Sequence, residues 1–323
     1  MANLITKHLM SLGFILLQIS CNHTGDTVSI HANFNNSCNE VQQTTAFEVL
    51  TKRLETLYKI KFKELSDNGS FDFAIYSKED KHIAERLCTD RGELYIAETY
   101  EFSEIYSSFT EINRIICEDT TLSGLILAKD EYSLKYPLVS VLSPNTKMNN
   151  TTFLSEAGDG PTIGIVAEKD TAIINLIFNN LNVKDLFPEA IQFKWTKKPV
   201  HVGDNDLFYG LISLKNAASI YINQQTVEKL SGYKSDQGDS EEIHLKFNQE
   251  QARLFSEISR HNIDKSLAIV LDNNVLCSPI IHSEIKTGDL SINGRFTLED
   301  VKYLTAIIKG GVLDCHVENL HIR

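Results

Sequence analysis

The fold is decided by three blocks between residues 242 and 309. They are Ile243-His-Leu-Lys-Phe-Asn-Gln-Glu-Gln-Ala252, then Leu267-Ala-Ile-Val-Leu-Asp-Asn-Asn-Val-Leu-Cys-Ser-Pro279, then Gly288-Asp-Leu-Ser-Ile-Asn-Gly-Arg-Phe-Thr297. The first block alternates into a strand over 243–247. Asn248 follows as an N-cap with Gln251 three residues on, a capping-box spacing. Ala252, Phe255 and Ile258 then share one helical face, through to His261. The second block predicts a hairpin, 266–271 against 275–277, turning over Asp272-Asn273-Asn274. Thr297 caps a last helix whose first turn holds Glu299 and Asp300, where the helix dipole favours anions. Val301, Leu304 and Ile308 are its apolar face, Gly310-Gly311 ends it, and 312–322 reads as a closing strand.

Working outward, residues 27–34 alternate as a strand and residues 44–58 carry Phe47, Leu50, Leu54 and Leu57 at helical spacing. Strands follow over 60–65 and 71–76, joined by Ser66-Asp-Asn-Gly-Ser70, where Asn68-Gly69 tolerate positive φ. A helix over 79–88 and a strand over 93–100 complete a β-α-β-β-α-β order, that of a ferredoxin-like split unit. The middle region, 105–208, has a helical pattern over 172–181 and a polar loop over 145–152.

The order and wording of the three blocks resemble the head of the first periplasmic domain of the SecD/SecDF family of protein-export membrane proteins. The base is similar as well, with Ala46-Phe-Glu-Val-Leu-Thr-Lys-Arg-Leu-Glu-Thr-Leu57 in the place of a base helix. Glu98-Thr-Tyr-Glu-Phe-Ser-Glu-Ile-Tyr106, Tyr136-Pro-Leu138, Gly160-Pro-Thr-Ile-Gly164, Lys169-Asp-Thr-Ala172 and Phe193-Lys-Trp195 resemble an insertion in SecDF proteins of the Bacteroidota type. Three places depart from the family pattern. Asn273 stands where Gly is usual, Cys277-Ser278-Pro279 replaces Ser-Ala-Pro, and Val312-Leu313-Asp314 replaces a Leu-Pro element.

The expected architecture is α+β: a ferredoxin-like base over 22–104, an inserted α/β region over 105–208 and a SecD-type α+β head over 209–323. The resemblance implies a non-enzymatic role in protein export. The head would contact translocating or unfolded polypeptide while swinging on the base, with Sec translocon components as further partners. The family's proton-coupled work uses charged residues in membrane helices. Those helices would begin where this chain ends, at Arg323, so that activity is not carried over. The expected contact surface is the head hairpin, with Ile269, Leu271, Val275 and Cys277, a cleft between head and base, or a free strand edge. The alternative is an envelope scaffold that keeps the fold without acting in export.

Residues 1–21 read as an export signal ending in a lipobox-like Cys. Lys7 and His8 precede an apolar run over 9–19 that is too short for a bilayer span. Ser20-Cys21 then points to lipidation at Cys21. A plain cleaved signal peptide and an uncleaved anchor are the alternatives. The expected place is the cell envelope, lipid-anchored on the periplasmic side of the inner membrane or in the outer membrane.

A net charge of -12 and the lack of any dense Lys/Arg cluster exclude a nucleic-acid partner. No cofactor is implied. Gly158-Asp-Gly-Pro-Thr-Ile-Gly164 lacks the G-K-[ST] of a phosphate loop and reads as a turn entering a strand. Asp204-Asn205-Asp206 lacks the rest of an EF-hand loop and reads as a solvated turn. Cys315 and His321 would share one strand face with His316 on the other, which argues against a metal site. No Gly-x-Ser-x-Gly elbow or H-E-x-x-H motif is present, so no catalytic residue is assigned. Phe187, Phe193 and Trp195 read as core. Six cysteines, none in C-x-x-C, specify no pairing and read by default as buried free thiols.

Overall fold

The computed structural model describes residues 26–77, 81–126, 130–148, 155–202, 206–215, 218–234 and 241–323. Cys21 and its lipobox-like surroundings lie outside the described residues.

The base opens with strand β1 (Asp26–Phe34), helix α1 (Glu40–Leu57), strands β2 (Lys59–Leu65) and β3 (Ser70–Ser77), helix α2 (Lys81–Thr89) and strand β4 (Leu94–Glu98). In β1, Val28, Ile30, Ala32 and Phe34 are buried and Thr27, Ser29 and His31 are exposed, a strand with one face on the core. Helix α1 starts earlier than its apolar spacing suggests because Asn39 and Gln42 form a full capping box.

The middle region contributes helix α3 (Ser108–Glu118), strand β5 (Thr162–Ala167), helix α4 (Thr171–Asn179) and strands β6 (Gln192–Thr196) and β7 (Leu207–Leu214). The head follows with β8 (Val227–Lys234), β9 (Glu241–Phe247), α5 (Gln249–His261), the hairpin β10 (Leu267–Leu271) and β11 (Asn274–Cys277), β12 (Asp289–Phe296), α6 (Leu298–Gly310) and β13 (Val317–Ile322). Asn248 caps α5 by accepting from the Gln251 N–H at 2.9 Å. Thr297 and Asp300 form a reciprocal capping box on α6.

The base sheet has the order β13-β1-β3-β2, the 4-1-3-2 order of a ferredoxin-like unit. Its fourth strand is β13, from the far end of the chain, where the sequence had pointed to β4. Strand β4 instead lies between β10 and the short strand Ile220–Tyr221 in a nine-stranded sheet. The reason is burial on both faces. Leu94, Tyr95, Ile96 and Ala97 are all buried, which suits an interior strand covered on two sides. That sheet continues from β10 through β11, β6, β7 and β5 to Ser143–Pro144, so it joins head and middle region in one ladder. Within it β11 and β6 run parallel. Strands β8, β9 and β12 form a separate three-stranded sheet.

Helix α6 packs on α1 and α2 on one side and on β8, β9 and β12 on the other. It accordingly buries Val301, Tyr303, Leu304, Ala306, Ile307 and Ile308, more than the single face its spacing suggested. One apolar core therefore runs from Phe71 and Phe73 of the base through α6 to Ile243, Leu245 and Ile292 of the head. A second core fills the middle region, around Phe102, Ile112, Ile174 and Ile177.

Arg53 fastens this assembly. Its side chain is wholly buried on α1, and it donates to Leu87 O (3.0 Å), Asp90 O (2.7 Å), Arg91 O (2.5 Å) and Gly311 O (2.7 Å from Nη2, 3.1 Å from Nε). Burial holds its pKa below the ordinary arginine value. Gly92 and Gly310 are needed around it, because a Cβ at either would collide with the Arg53 side chain. Cys38 and Cys315 are disulfide-bonded, closing the chain between the start of α1 and the approach to β13. This corrects the default expectation of free thiols for that pair. Cys88 is buried and free, and Cys117 is free but exposed.

Replacing Arg53 with Met removes every donor and leaves the carbonyls facing apolar carbon. Buried acceptors without partners cost about 1–3 kcal/mol each, and partial relaxation should leave a net loss of about 3–5 kcal/mol. Urea unfolding followed by circular dichroism measures it. A midpoint within error of the parent would refute the clamp.

Candidate functional site

The expected contact residues are interior. Ile269, Leu271 and Val275 are each 1% exposed, and the whole of β10 is buried between β4 and β11. Cys277 is partly covered, and burial pushes its thiol up to about 12. Truncating such a residue to Ala costs about 2–5 kcal/mol through the cavity it leaves. Ile269, Leu271 and Val275 build the sheet and present no surface in this conformation. What the hairpin does offer is its turn: Asn273 is exposed and its Oδ1 accepts from Lys194 Nζ at 3.0 Å.

That contact leads to a groove of about 810 Å³ on the middle region, between the end of α4, the turn at 184–191 and β6. Its floor is a packed trio of rings. Phe178 meets Phe193 edge-on at 4.7 Å, Phe187 meets Phe193 at 5.0 Å, and Phe178 stacks on Phe187 at 5.8 Å. Asn175, Asn179 and Gln192 supply amides to the walls, and Lys184, Asp185, Glu189 and Lys194 set two charges of each sign around them. Asn175 is fixed by the Trp195 indole N–H at 3.1 Å. Ala190 turns the rim with φ 67°, a left-handed conformation uncommon for a residue with a Cβ. The expectation that Phe187, Phe193 and Trp195 are core holds fully for Phe187, whereas Phe193 and Trp195 are half-buried. The amides were missed. The available signal was the stretch from Thr171 to Val183, which carries no charged residue in a chain of net charge -12.

Beside the groove, the segment after β6 is bound to the head. Lys198 Nζ lies 2.7 Å from Asp300 Oδ2 and 2.8 Å from Arg295 O. Arg295 Nη2 donates to Pro199 O at 3.3 Å. Burial raises the Asp300 pKa, but the Lys198 ammonium and the Thr297 N–H and hydroxyl outweigh it and hold the carboxyl below its ordinary value.

Other groupings are structural. Ser291 Oγ lies 3.0 Å from His244 Nδ1, and Glu242 Oε2 lies 3.4 Å from His244 Nε2. The row sits on the open face of β9 and β12, opposite the buried Ile243, Leu245 and Ile292, and Asn293 bonds Glu242 at 2.7 Å. Nothing there excludes water or gathers donors for an oxyanion, and the row reads as cross-strand polar pairing. Gly160 turns with φ 81° into β5. Residues 204 and 205 lie outside the described residues, and Asp206 pairs with Lys169 at 2.7 Å. Cys315 is committed to its disulfide. Among the described residues no cluster of His, Cys, Asp and Glu could hold a metal, and no helix is long and apolar enough to cross a membrane.

The similarity to known proteins is concentrated in the head. Residues 213–315 match the model of the family described as "SecDF, P1 head subdomain". Protein translocase subunit SecD of Rhodothermus marinus is 27% identical over 207 residues, covering 64% of this chain and 31% of that protein. SecD of Sebaldella termitidis is 30% identical over 188 residues, covering 56% of this chain and 43% of that protein. This chain thus spans less than half the length of these relatives. Among solved structures, SecDF in its super-membrane-facing form gives a TM-score of 0.48 at 16% identity, covering 92% of this chain and 30% of that one. A membrane component SecDF that enhances protein export gives 0.44 at 17% identity, covering 90% and 96%. Residues 213–315 are thus similar to a SecDF P1 head subdomain, and the chain resembles part of SecD.

Asp300 links the segment after β6 to the cap of α6. Its folded pKa is depressed, so its contribution is present above the unfolded carboxyl pKa and is lost as pH falls through the lower folded value. Asp300→Asn should lower stability at pH 7 by about 1–2 kcal/mol, the range for losing a cap. The difference from the parent should vanish on acidification through that window. Urea melts across a pH series measure both, and a difference independent of pH would count against the ionic link.

Proposed function

We propose that this chain is a non-enzymatic envelope lipoprotein whose SecD-like domain assists protein export by binding translocating or unfolded polypeptide. The observation that carries the reading is the P1 head match over residues 213–315. The curated relatives cited above are both named as protein translocase subunits. The Cys38–Cys315 disulfide suits an oxidising compartment such as the periplasm. A net charge of -12 disfavours a nucleic-acid partner. Sec translocon components are the expected neighbours of such a domain. The anchor is lipid on Cys21, whose place after a short apolar run and Ser20 fits lipoprotein processing.

A photo-crosslinking phenylalanine analogue at Asn273, the exposed turn of the head hairpin, tests the role in cells. Crosslinks to newly exported chains are expected. Crosslinks only to one folded envelope protein would instead mark a scaffold that keeps the fold without acting in export.

The anchor has its own test. Cys21→Ser should abolish incorporation of labelled palmitate and move the protein from the membrane fraction to the soluble envelope fraction. A variant that stays membrane-bound with unchanged mass would rule lipidation out.

A further inference from the structure

We infer that the polypeptide-binding site of this chain is the groove between α4 and β6, and that it takes an extended segment bearing large apolar side chains and few charges. This rests on the polypeptide-binding reading above and names its site.

Strand β10 of the hairpin offers no open face, because it has a neighbour on each side and its side chains are buried. The groove adjoins the hairpin through β6. Strand β6, one wall, pairs with hairpin strand β11 at Asn274↔Trp195 and Val275↔Thr196, and Lys194 at the rim holds the turn residue Asn273.

The lining chemistry selects the occupant. Half-buried Phe193, backed by the buried rings of Phe178 and Phe187, offers an apolar floor. Asn175, Asn179 and Gln192 each carry both a donor and an acceptor. An extended main chain presents the same pair at every residue, so amide walls bind it without reading sequence. Charges around the groove balance, and the neighbouring stretch Thr171–Val183 has none. Two lysines against two carboxylates leave no net charge to favour a phosphate-bearing or metal ligand. A volume of about 810 Å³ is within the range of about 300–1,000 Å³ usual for ligand sites.

Fluorescence anisotropy with two short labelled peptides tests this. One alternates Phe with Ser, and the other has Asp in place of each Phe. The parent protein should bind the Phe peptide and not the Asp peptide. Asn179→Trp, which fills the groove from an exposed wall position, and Gln192→Glu, which adds a charge, should each weaken binding by about tenfold or more, at least 1.4 kcal/mol. Leu254→Asp, at an exposed apolar position on α5 outside the groove, should leave it unchanged. Circular dichroism melts confirm that each variant is folded. If the parent binds the Phe peptide and the groove variants bind it equally well, the groove is wrong while the polypeptide reading stands. Equal binding of both peptides overturns the stated occupant. If the parent binds neither, the polypeptide reading itself fails and the groove falls with it.

Discussion

The buried guanidinium of Arg53 is the contact on which the arrangement of base and head depends. A cation inside an apolar core is expensive unless every donor is met. Among the described residues it forms no ion pair; backbone carbonyls meet it instead. They come from the ends of two helices, Leu87 in the last turn of α2 with Asp90 and Arg91 just beyond it, and Gly311 after α6. Those ends carry the negative poles of the helix dipoles. The same atoms would otherwise be orphaned acceptors at helix termini. One side chain thus satisfies two C-termini and brings α1, α2 and α6 to a single point. Tyr303 and Arg86 extend it: the Tyr303 hydroxyl donates to Asp90 at 2.6 Å, and the Arg86 guanidinium lies 3.8 Å over the Tyr303 ring. Burial and the adjacent Asp90 carboxylate keep the Tyr303 hydroxyl protonated by raising its pKa.

Fixing the end of α6 dictates where the chain goes next. Gly311, with φ 91°, turns it away from the helix, and Cys315 is tied to Cys38 beside the start of α1. Residues 317–322 then run alongside β1, where Ile30 faces Ile322 and Phe34 faces Val317. The edge of the base sheet at β1 is then occupied. Strand β4, apolar on both faces, finds its cover instead between β10 and residues 220–221.

What was legible in the sequence was local, and what was not was pairing at long range. Alternation in β1 and β3, the Asn68-Gly69 turn, and the caps at Asn248 and Thr297 each depend on a few adjacent residues and appear in the structure. The partner of β4 depends on residues that far separated segments contribute, and no periodicity records it. The disulfide joins residues 277 positions apart, so spacing alone could not select it from the available cysteines. Arg53 sits between Leu50 and Leu54 on the apolar side of α1, a position that reads as a stray charge until the carbonyls that meet it are known. In one case a local signal was present but read for the wrong purpose. Five consecutive apolar residues, Leu267 to Leu271, are the mark of a strand covered on both faces, and such a strand builds a core and offers no surface.

These constraints bear on how a head of this kind can act. The resemblance suggested a head that swings on its base. Here the apolar core is continuous from Phe71 through Leu304 to Ile243, and α6 belongs to both sides of any hinge drawn across it. Separating them would expose Tyr303, Leu304 and Ile307 to water, at about 25 cal/mol per Å² of apolar surface, and would break the bonds from Arg53 to Gly311. The middle region is joined to the same body by the β11–β6 ladder and by Lys198 on Asp300. Polypeptide held in the groove would therefore be carried by a stiff unit, with the amide walls and the Asn273 turn moving together. If the proposed groove holds polypeptide, recognition in such a unit would come from a preformed surface, which lowers the ordering cost of binding and would make the composition of the groove, more than motion between head and base, the property that selects the partner.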